Sequence, residues 1–196
     1  MISTLLKKHN FDPVFDSQKV FRLLLQAMSN PARVVNIKEY ADKLSGDNTA
    51  FLAVAITLLD NETSFNTCEN HLLEQEIASL TLAKREEIAY ADFVFVWGQS
   101  DIKSVIKNAK CGTLADPHKS ATVIIQNDGD AACALSLCGP GINGHIAVMV
   151  SQRVAEALAL RNAQYYEYPQ GIDLIFVSNG GELLAIPRLV NQTEVR

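Results

Sequence analysis

The chain has 196 residues, of which 48% are hydrophobic, and its formal net charge is −5. This length fits one large domain or two small ones with a sizeable buried core, and the pattern of elements described below favours a single domain over residues 1–196. The acidic balance disfavours a sequence-independent nucleic-acid binder, which needs a basic field, so an anionic ligand must find a local basic pocket. We see no signal peptide and no apolar run of membrane-spanning length, and we therefore expect a cytoplasmic protein.

The first predicted elements are a helix and a short strand. Four apolar residues follow an N-cap signal at Asp16-Ser17 and share the spacing of one helix face: Phe21, Leu24, Leu25 and Met28. Pro31 ends this helix, because the residue before a proline is pushed out of the α region. Residues 32–37 then predict a strand, and residues 38–48 predict a polar loop.

Helices and strands alternate in the middle of the chain. Ala50–Leu59 is apolar nearly all round, which indicates a helix that is buried on most sides. Asn70 is placed to cap the helix that follows. Phe93–Trp97 (FVFVW) is an uninterrupted β-prone run and predicts a central strand.

The stretch from Ala131 to Val150 (AACALSLCGPGINGHIAVMV) predicts two strands around a turn, and we place it at the centre of the fold. Both strands are so apolar that we expect them inside a sheet covered on both faces, joined by Val123–Gln126. In the turn, Pro140 fixes one φ angle, and either Gly139 or Gly141 can take a positive φ. These glycines can also bring backbone N–H groups near an anion.

The last part of the chain predicts a helix capped by Ser151, a tyrosine-rich segment and two strands. The segment Tyr165–Pro169 has the aromatic content of a protein interface, although its tyrosines can equally pack over the sheet of the same chain. The turn Asn179–Gly181 joins the two strands. The whole pattern predicts one α/β domain, with helices on both faces of a mixed sheet that is partly antiparallel in its C-terminal half.

Motifs that would identify a reaction are absent, so no catalytic residue and no metal site are predicted. Asp173 lies in an apolar strand, where a carboxylate needs a cap, a hydrogen-bond donor or an ion pair, and a structural or a catalytic role is open. Arg188, with Arg22 and Arg33 elsewhere, can form an anion site, because the guanidinium fork matches phosphonate oxygens. The alternative is that these arginines form salt bridges with the 22 acidic residues.

Six sequence motifs occur in one order between Phe11 and Arg188. They are Phe21-Arg22 with Ala27–Pro31, Leu59–Thr63, Gly112-Thr113 with Pro117 and Ala121-Thr122, Gly139–Ile142, Pro169–Ile175 and Leu184–Arg188. In this combination the chain resembles the PhnH family, a subunit of the bacterial carbon–phosphorus lyase system for phosphonate breakdown. Two positions depart from the family pattern: Ala32 stands where a glycine is usual, and Leu189 where a threonine is common.

The resemblance implies a fold similar to the large domain of pyridoxal-phosphate-dependent transferases, without that cofactor or any other. It also implies a homodimer that assembles with the core subunits PhnG, PhnI and PhnJ. Their joint reaction forms ribose 1-phosphonate 5-triphosphate from a nucleoside triphosphate and an alkylphosphonate, and no complete active site is expected on this chain alone. From the residues, the candidate ligand-binding set is Arg22, Gly139, Gly141, Asp173 and Arg188. The alternative function is a stand-alone small-molecule enzyme with its site at the dimer interface.

Overall fold

The computed structural model describes residues 9–98 and 100–193, in which helices and strands alternate. The helices are α1 (Phe15–Ser29), α2 (Lys38–Ala41), α3 (Thr49–Leu58), α4 (His71–Thr81), α5 (Ile102–Asn108) and α6 (Gln152–Asn162). The strands are β1 (Val35–Asn36), β2 (Ser64–Asn66), β3 (Lys84–Arg85), β4 (Phe93–Val96), β5 (Thr122–Gln126), β6 (Cys133–Cys138), β7 (Ile146–Val150), β8 (Asp173–Val177), β9 (Glu182–Ile186) and β10 (Asn191–Thr193).

Seven of these strands form one mixed sheet in the order β1-β9-β8-β5-β4-β2-β3. The strands from β8 to β3 run parallel to one another, whereas β9 and β1 add antiparallel pairs at one side. Helices α1, α3 and α4 bury apolar side chains on one face, and α5 and α6 do so on the other. The predicted α/β class, with a mixed sheet and helices on both faces, is confirmed.

Two predicted helix caps are present. Asn70 accepts a hydrogen bond from the backbone N–H of Leu73 at 3.1 Å, and α4 begins directly after it. Ser151 accepts one from the N–H of Val154 at 3.3 Å at the start of α6. Each cap satisfies an N–H group that has no partner inside its helix.

The strands predicted from uninterrupted apolar runs are also confirmed. The run Phe93–Val96 forms β4, which lies between β2 and β5 in the interior of the sheet. Near the C-terminus, β8 and β9 form the predicted antiparallel pair, and Gly181 in their turn has a φ of 80°. Because β8 is buried along its whole length, its apolar composition reflects cover on both faces.

The prediction that the stretch from Ala131 to Val150 lies at the centre of the fold is wrong. Strands β6 and β7 pair with β10 in a separate three-stranded antiparallel sheet, and β5 lies in the large sheet between β4 and β8. Leu135 and Leu137 are buried against the α5–α6 side of the molecule, whereas Met149 on β7 is 56% exposed. The second face of β7 is therefore not covered, and apolar composition alone does not reveal this.

Helix α1 begins earlier than predicted. It starts at Phe15, because the Asp12 carboxylate, rather than Asp16 or Ser17, accepts hydrogen bonds from the N–H groups of Val14 at 2.8 Å and Phe15 at 2.9 Å. The predicted polar loop over residues 38–48 also contains the one-turn helix α2.

The buried face of α1 differs from the predicted one by about one residue. Leu24 is buried as expected, but Phe21 is 49% exposed and Leu25 is 54% exposed, while Val20 and Ala27 are fully buried. Both faces have helical spacing and share Leu24, so the sequence pattern fits either one. The contacts of α1 with α3 and β9 decide which face is inside.

Ala32 has a left-handed backbone with a φ of 70°. An L-residue with a side chain costs about 1–2 kcal/mol in this region, whereas glycine occupies it freely. We therefore expect Ala32→Gly to raise the free energy of unfolding by about 1 kcal/mol in urea titrations. Ala159→Gly, at an exposed position inside α6, is the control and should lower it by about 1 kcal/mol. A loss of stability in Ala32→Gly would contradict the strain at this position.

Candidate functional site

The candidate site is built around the turn at residues 187–190, which connects β9 to β10. Pro187 ends β9, because a proline has no N–H group to continue the ladder. The chain then reverses, and the N–H of Val190 donates to the carbonyl of Pro187 at 2.9 Å. Arg188 and Leu189 occupy the middle of this turn.

The side chain of Arg188 is held by Asp173. Asp173 is the first residue of β8, and its carboxylate accepts from Arg188 Nη2 at 2.7 Å and from Nε at 3.3 Å. It also accepts from the backbone N–H of Arg188 at 2.8 Å, and Nη1 donates to the carbonyl of Pro117. The Asp173 side chain is 9% exposed and the Arg188 side chain 21%. Asp173 therefore has the ion pair that a carboxylate in an apolar strand needs, and Arg188 forms a salt bridge with an acidic residue.

Arg161 also donates hydrogen bonds to this turn. It was not among the site residues predicted from the sequence. It is 2% exposed on α6, and its Nη1 donates to the carbonyls of Ile186 and Pro187, both at 3.0 Å, while Nη2 donates to that of Val190. Burial lowers the pKa of Arg161 to about 10, and the nearby Asp173 and Tyr166 oppose this decrease. The guanidinium is therefore charged at neutral pH.

A signal for Arg161 was present in the sequence. The buried residues of α6 are Val154, Ala157, Leu158 and Arg161, which recur at the spacing of one helix face. An arginine at the end of an apolar face needs buried acceptors for its N–H groups. Here the acceptors are backbone carbonyls at the end of a strand.

A cavity of about 220 Å³ opens beside the two arginines. Its walls are polar, and they are formed by Arg161, Asn162, Gln164, Tyr166, Tyr168, Gln170, Arg188, Leu189 and Asn191. The Tyr166 hydroxyl is buried and has no hydrogen-bond partner in the described part of the chain. Burial raises the pKa of this hydroxyl; Cys111 adds to the increase, and Arg161 opposes it.

The two candidate glycines are the first and third residues of the loop between β6 and β7, residues 139–145, and both have a positive φ, 139° at Gly139 and 85° at Gly141. A Cβ atom at Gly139 would lie 2.6 Å from the carbonyl oxygen of Leu189, so this glycine packs directly on the turn at residues 187–190. A Cβ at Gly141 would lie 2.8 Å from both Ser29 O and Pro31 Cδ, at the end of α1. The loop therefore packs against both the turn and the end of α1.

Arg22 does not belong to this group. It is exposed on α1, which packs on the other face of the large sheet. The structure therefore brings Gly139, Asp173 and Arg188 together at the turn, whereas Gly141 lies against the end of α1.

Two further features bear on the kind of site. Within residues 9–98 and 100–193, no group of three or more His, Cys, Asp or Glu side chains is arranged to hold a metal ion. None of the helices in these ranges is both long enough and apolar enough to span a membrane.

Comparison with known proteins identifies the family. Residues 9–193 match the family model described as bacterial phosphonate metabolism protein (PhnH). The chain belongs to the PhnH family. The resemblance found in the six sequence motifs is thus confirmed, and three of those motifs supply Gly139, Asp173 and Arg188 at the turn.

Two relatives carry related names. The chain is 29% identical over 173 residues to HtxG of Stutzerimonas stutzeri, named as a C-P lyase subunit protein, with 87% of this chain and 83% of HtxG covered. It is 26% identical over 186 residues to the alpha-D-ribose 1-methylphosphonate 5-triphosphate synthase subunit PhnH of Rhizobium meliloti (strain 1021). That match covers 90% of each chain.

The Asp173–Arg188 pair gives a test of the site's construction. Asp173→Asn leaves the arginine largely buried without a counter-charge, and we expect the free energy of unfolding to fall by about 3 kcal/mol. Asp42→Asn is the control, because its i,i+4 pair with Lys38 is more than half exposed on both sides and should cost less than about 1 kcal/mol. Urea titrations measure both values. Equal, small losses in the two variants would show that the buried pair does not stabilise the turn.

Proposed function

We propose that this chain is a subunit of the carbon–phosphorus lyase core complex, required for forming ribose 1-phosphonate 5-triphosphate from a nucleoside triphosphate and an alkylphosphonate. The match of the PhnH family over residues 9–193 carries the proposal. The synthase-subunit name of the Rhizobium meliloti relative supports the particular reaction. Because nucleoside triphosphates are made and used in the cytoplasm, the proposed reaction implies a cytoplasmic location.

The contacts of the candidate site favour a supporting role over a complete active site. The Asp173 carboxylate already accepts three hydrogen bonds from Arg188, so it is poorly placed to act as a general base. Three N–H groups of Arg161 donate to backbone carbonyls, so this residue holds the turn in place. We infer that this chain contributes surface and a cationic cavity, and that the other core subunits, PhnG, PhnI and PhnJ, complete the reaction centre.

The tyrosine-rich segment is a candidate contact with those subunits. Tyr165 is 92% exposed and Tyr168 is 78% exposed, so packing over the chain's own sheet applies only to the half-buried Tyr166. Large exposed aromatic side chains are enriched at protein interfaces.

Co-expression tests the subunit assignment. With a tag on this chain, we expect PhnG, PhnI and PhnJ to co-elute in fixed ratio and the mixture to release the base from a nucleoside triphosphate only when a phosphonate is present. Tyr165→Ala combined with Tyr168→Ala should reduce co-elution about tenfold or more, as for an interface hot spot. Tyr90→Ala, 66% exposed elsewhere, is the control. Turnover by the isolated chain without partners would instead favour the stand-alone enzyme.

We further infer that the free chain is a homodimer joined through β7. This strand is at the edge of the three-stranded sheet, and no described strand pairs with its outer side. Edge strands of monomers are usually protected by charges, prolines or bulges, whereas Ile146–Val150 (IAVMV) has no charge and no proline.

A second copy of the chain fits this edge by symmetry. Antiparallel pairing about a two-fold axis at Val148 puts Ile146 opposite the partner subunit's Val150 and Ala147 opposite the partner subunit's Met149. Every cross-strand pair is then apolar, and the two small sheets form one continuous sheet of six strands.

Lysines at the exposed face of β7 test the dimer. Ala147→Lys with Met149→Lys places like charges opposite each other in both cross-strand pairs, and we expect a shift from dimer to monomer in light scattering. Both positions are exposed, so the thermal melt of each subunit should stay nearly unchanged. Leu114→Lys with Ala115→Lys, at an exposed loop, is the matched control and should remain dimeric. A wild-type monomer at micromolar concentration, or a dimeric double variant, would refute pairing through β7.

We also infer that the large sheet is similar to that of the large domain of pyridoxal-phosphate-dependent transferases and that this chain has no such cofactor. In support, four surface cavities of the described residues, with volumes of about 220 to 480 Å³, have no lysine in their walls that could form a Schiff base.

A further inference from the structure

The cavity beside Arg161 and Arg188 has hydrogen-bond donors that the described fold does not use. A guanidinium has five N–H groups. Arg161 makes three hydrogen bonds, all to carbonyls, and the Arg188 side chain makes three, to Asp173 and Pro117. Each arginine therefore keeps two N–H groups without an acceptor in the described part of the chain. Tyr166 lines the same cavity, and its buried hydroxyl has no hydrogen-bond partner in the described part of the chain.

The charge of this cavity is positive. Two arginines line it, whereas Asp173, the carboxylate paired with Arg188, is not one of its lining residues. None of the nine lining residues is Asp or Glu, and the remaining polar ones include four side-chain amides that can donate. Among the described residues Arg161 is buried with backbone carbonyls and no ion-pair partner, which is costly, and an anion in the cavity would offset part of that cost.

The volume limits the size of the ligand. Cavities that enclose drug-sized molecules measure about 300–1,000 Å³, and this one measures about 220 Å³. It has space for one phosphonate or phosphate group with a short substituent but is too small for a whole nucleoside triphosphate.

We propose that this cavity binds a small tetrahedral oxyanion through Arg161, Arg188 and the hydroxyl of Tyr166. The choice of an alkylphosphonate as its ligand rests on the proposed function, whereas the oxyanion chemistry rests on the donors and charge of the cavity. Guanidinium N–H groups suit phosphonate and phosphate oxygens equally, so the free phosphonate and a phosphate group are the two sources of such an anion.

Calorimetric titration of the full-length wild-type protein with methylphosphonate, inorganic phosphate and acetate tests the site. We expect both tetrahedral anions to bind and acetate to bind more weakly. A preference for methylphosphonate identifies the phosphonate as the ligand, and a preference for phosphate identifies a phosphate group. No binding of either up to about 10 mM, or equal binding of acetate, would overturn the proposal. Neither result affects co-elution with the other subunits, so the proposed function is judged separately.

Two conservative variants locate the binding. Tyr166→Phe removes one hydroxyl and should weaken the affinity about tenfold, as for one hydrogen bond to a charged group, without lowering the thermal midpoint, because that hydroxyl has no protein partner to lose. Tyr165→Phe, exposed and outside the cavity, is its control and should bind like the wild type. An unchanged affinity in Tyr166→Phe would overturn the assignment of that hydroxyl.

A charge variant tests the electrostatics without removing a donor to the turn. Asn162→Asp puts a negative charge in the cavity wall at the end of α6, and it should weaken anion binding at least several-fold. Asn108→Asp makes the same change at the end of α5, outside the cavity, and should leave the affinity unchanged. Equal effects of the two substitutions would place the anion elsewhere.

Discussion

The hydrogen bonds from the buried guanidinium of Arg161 to the turn at residues 187–190 hold the elements around this turn together. Arg161 reaches from α6 to carbonyls at the end of β9 and at the start of β10, so it joins a helix, the large sheet and the small sheet at one point. Because these acceptors are backbone groups, the contact fixes the path of the chain rather than one side chain. Asp173 and Gly139 then pack on the same turn, and each depends on the position that the turn takes.

The parts of the fold that depend on residues close in sequence were predictable. The carboxamide of Asn70 and the hydroxyl of Ser151 cap helices through N–H groups three residues away, and such contacts need no tertiary information. Burial on a second face is different. Phe93–Val96 and Ile146–Val150 are equally apolar, yet the first has a helix layer on each side and the second has an open face. The sequence of a strand does not record what lies above it.

The site was predictable to the extent that a buried charge must have a partner. Asp173 in an apolar strand required one, and β8 and β9 form an antiparallel pair that brings Arg188 beside it. The spacing of α6 placed Arg161 on the apolar face, but its acceptors are backbone carbonyls, which the residue types do not reveal. Arg22 looked equivalent to Arg188 in sequence, but α1 carries it to the other side of the sheet, which only the arrangement of helices determines.

The contact between Gly139 and Leu189 has a consequence for how such sequences can diverge. The atoms nearest to a Cβ at Gly139 belong to the backbone of Leu189 and Val190, so this contact constrains the backbone at position 189 and not its side chain. That side chain forms part of the cavity wall. A Leu189→Thr substitution would therefore add a hydroxyl to a residue that lines the cavity. A side chain at position 139 would instead collide with backbone atoms of residues 189 and 190, whichever residue occupies position 189.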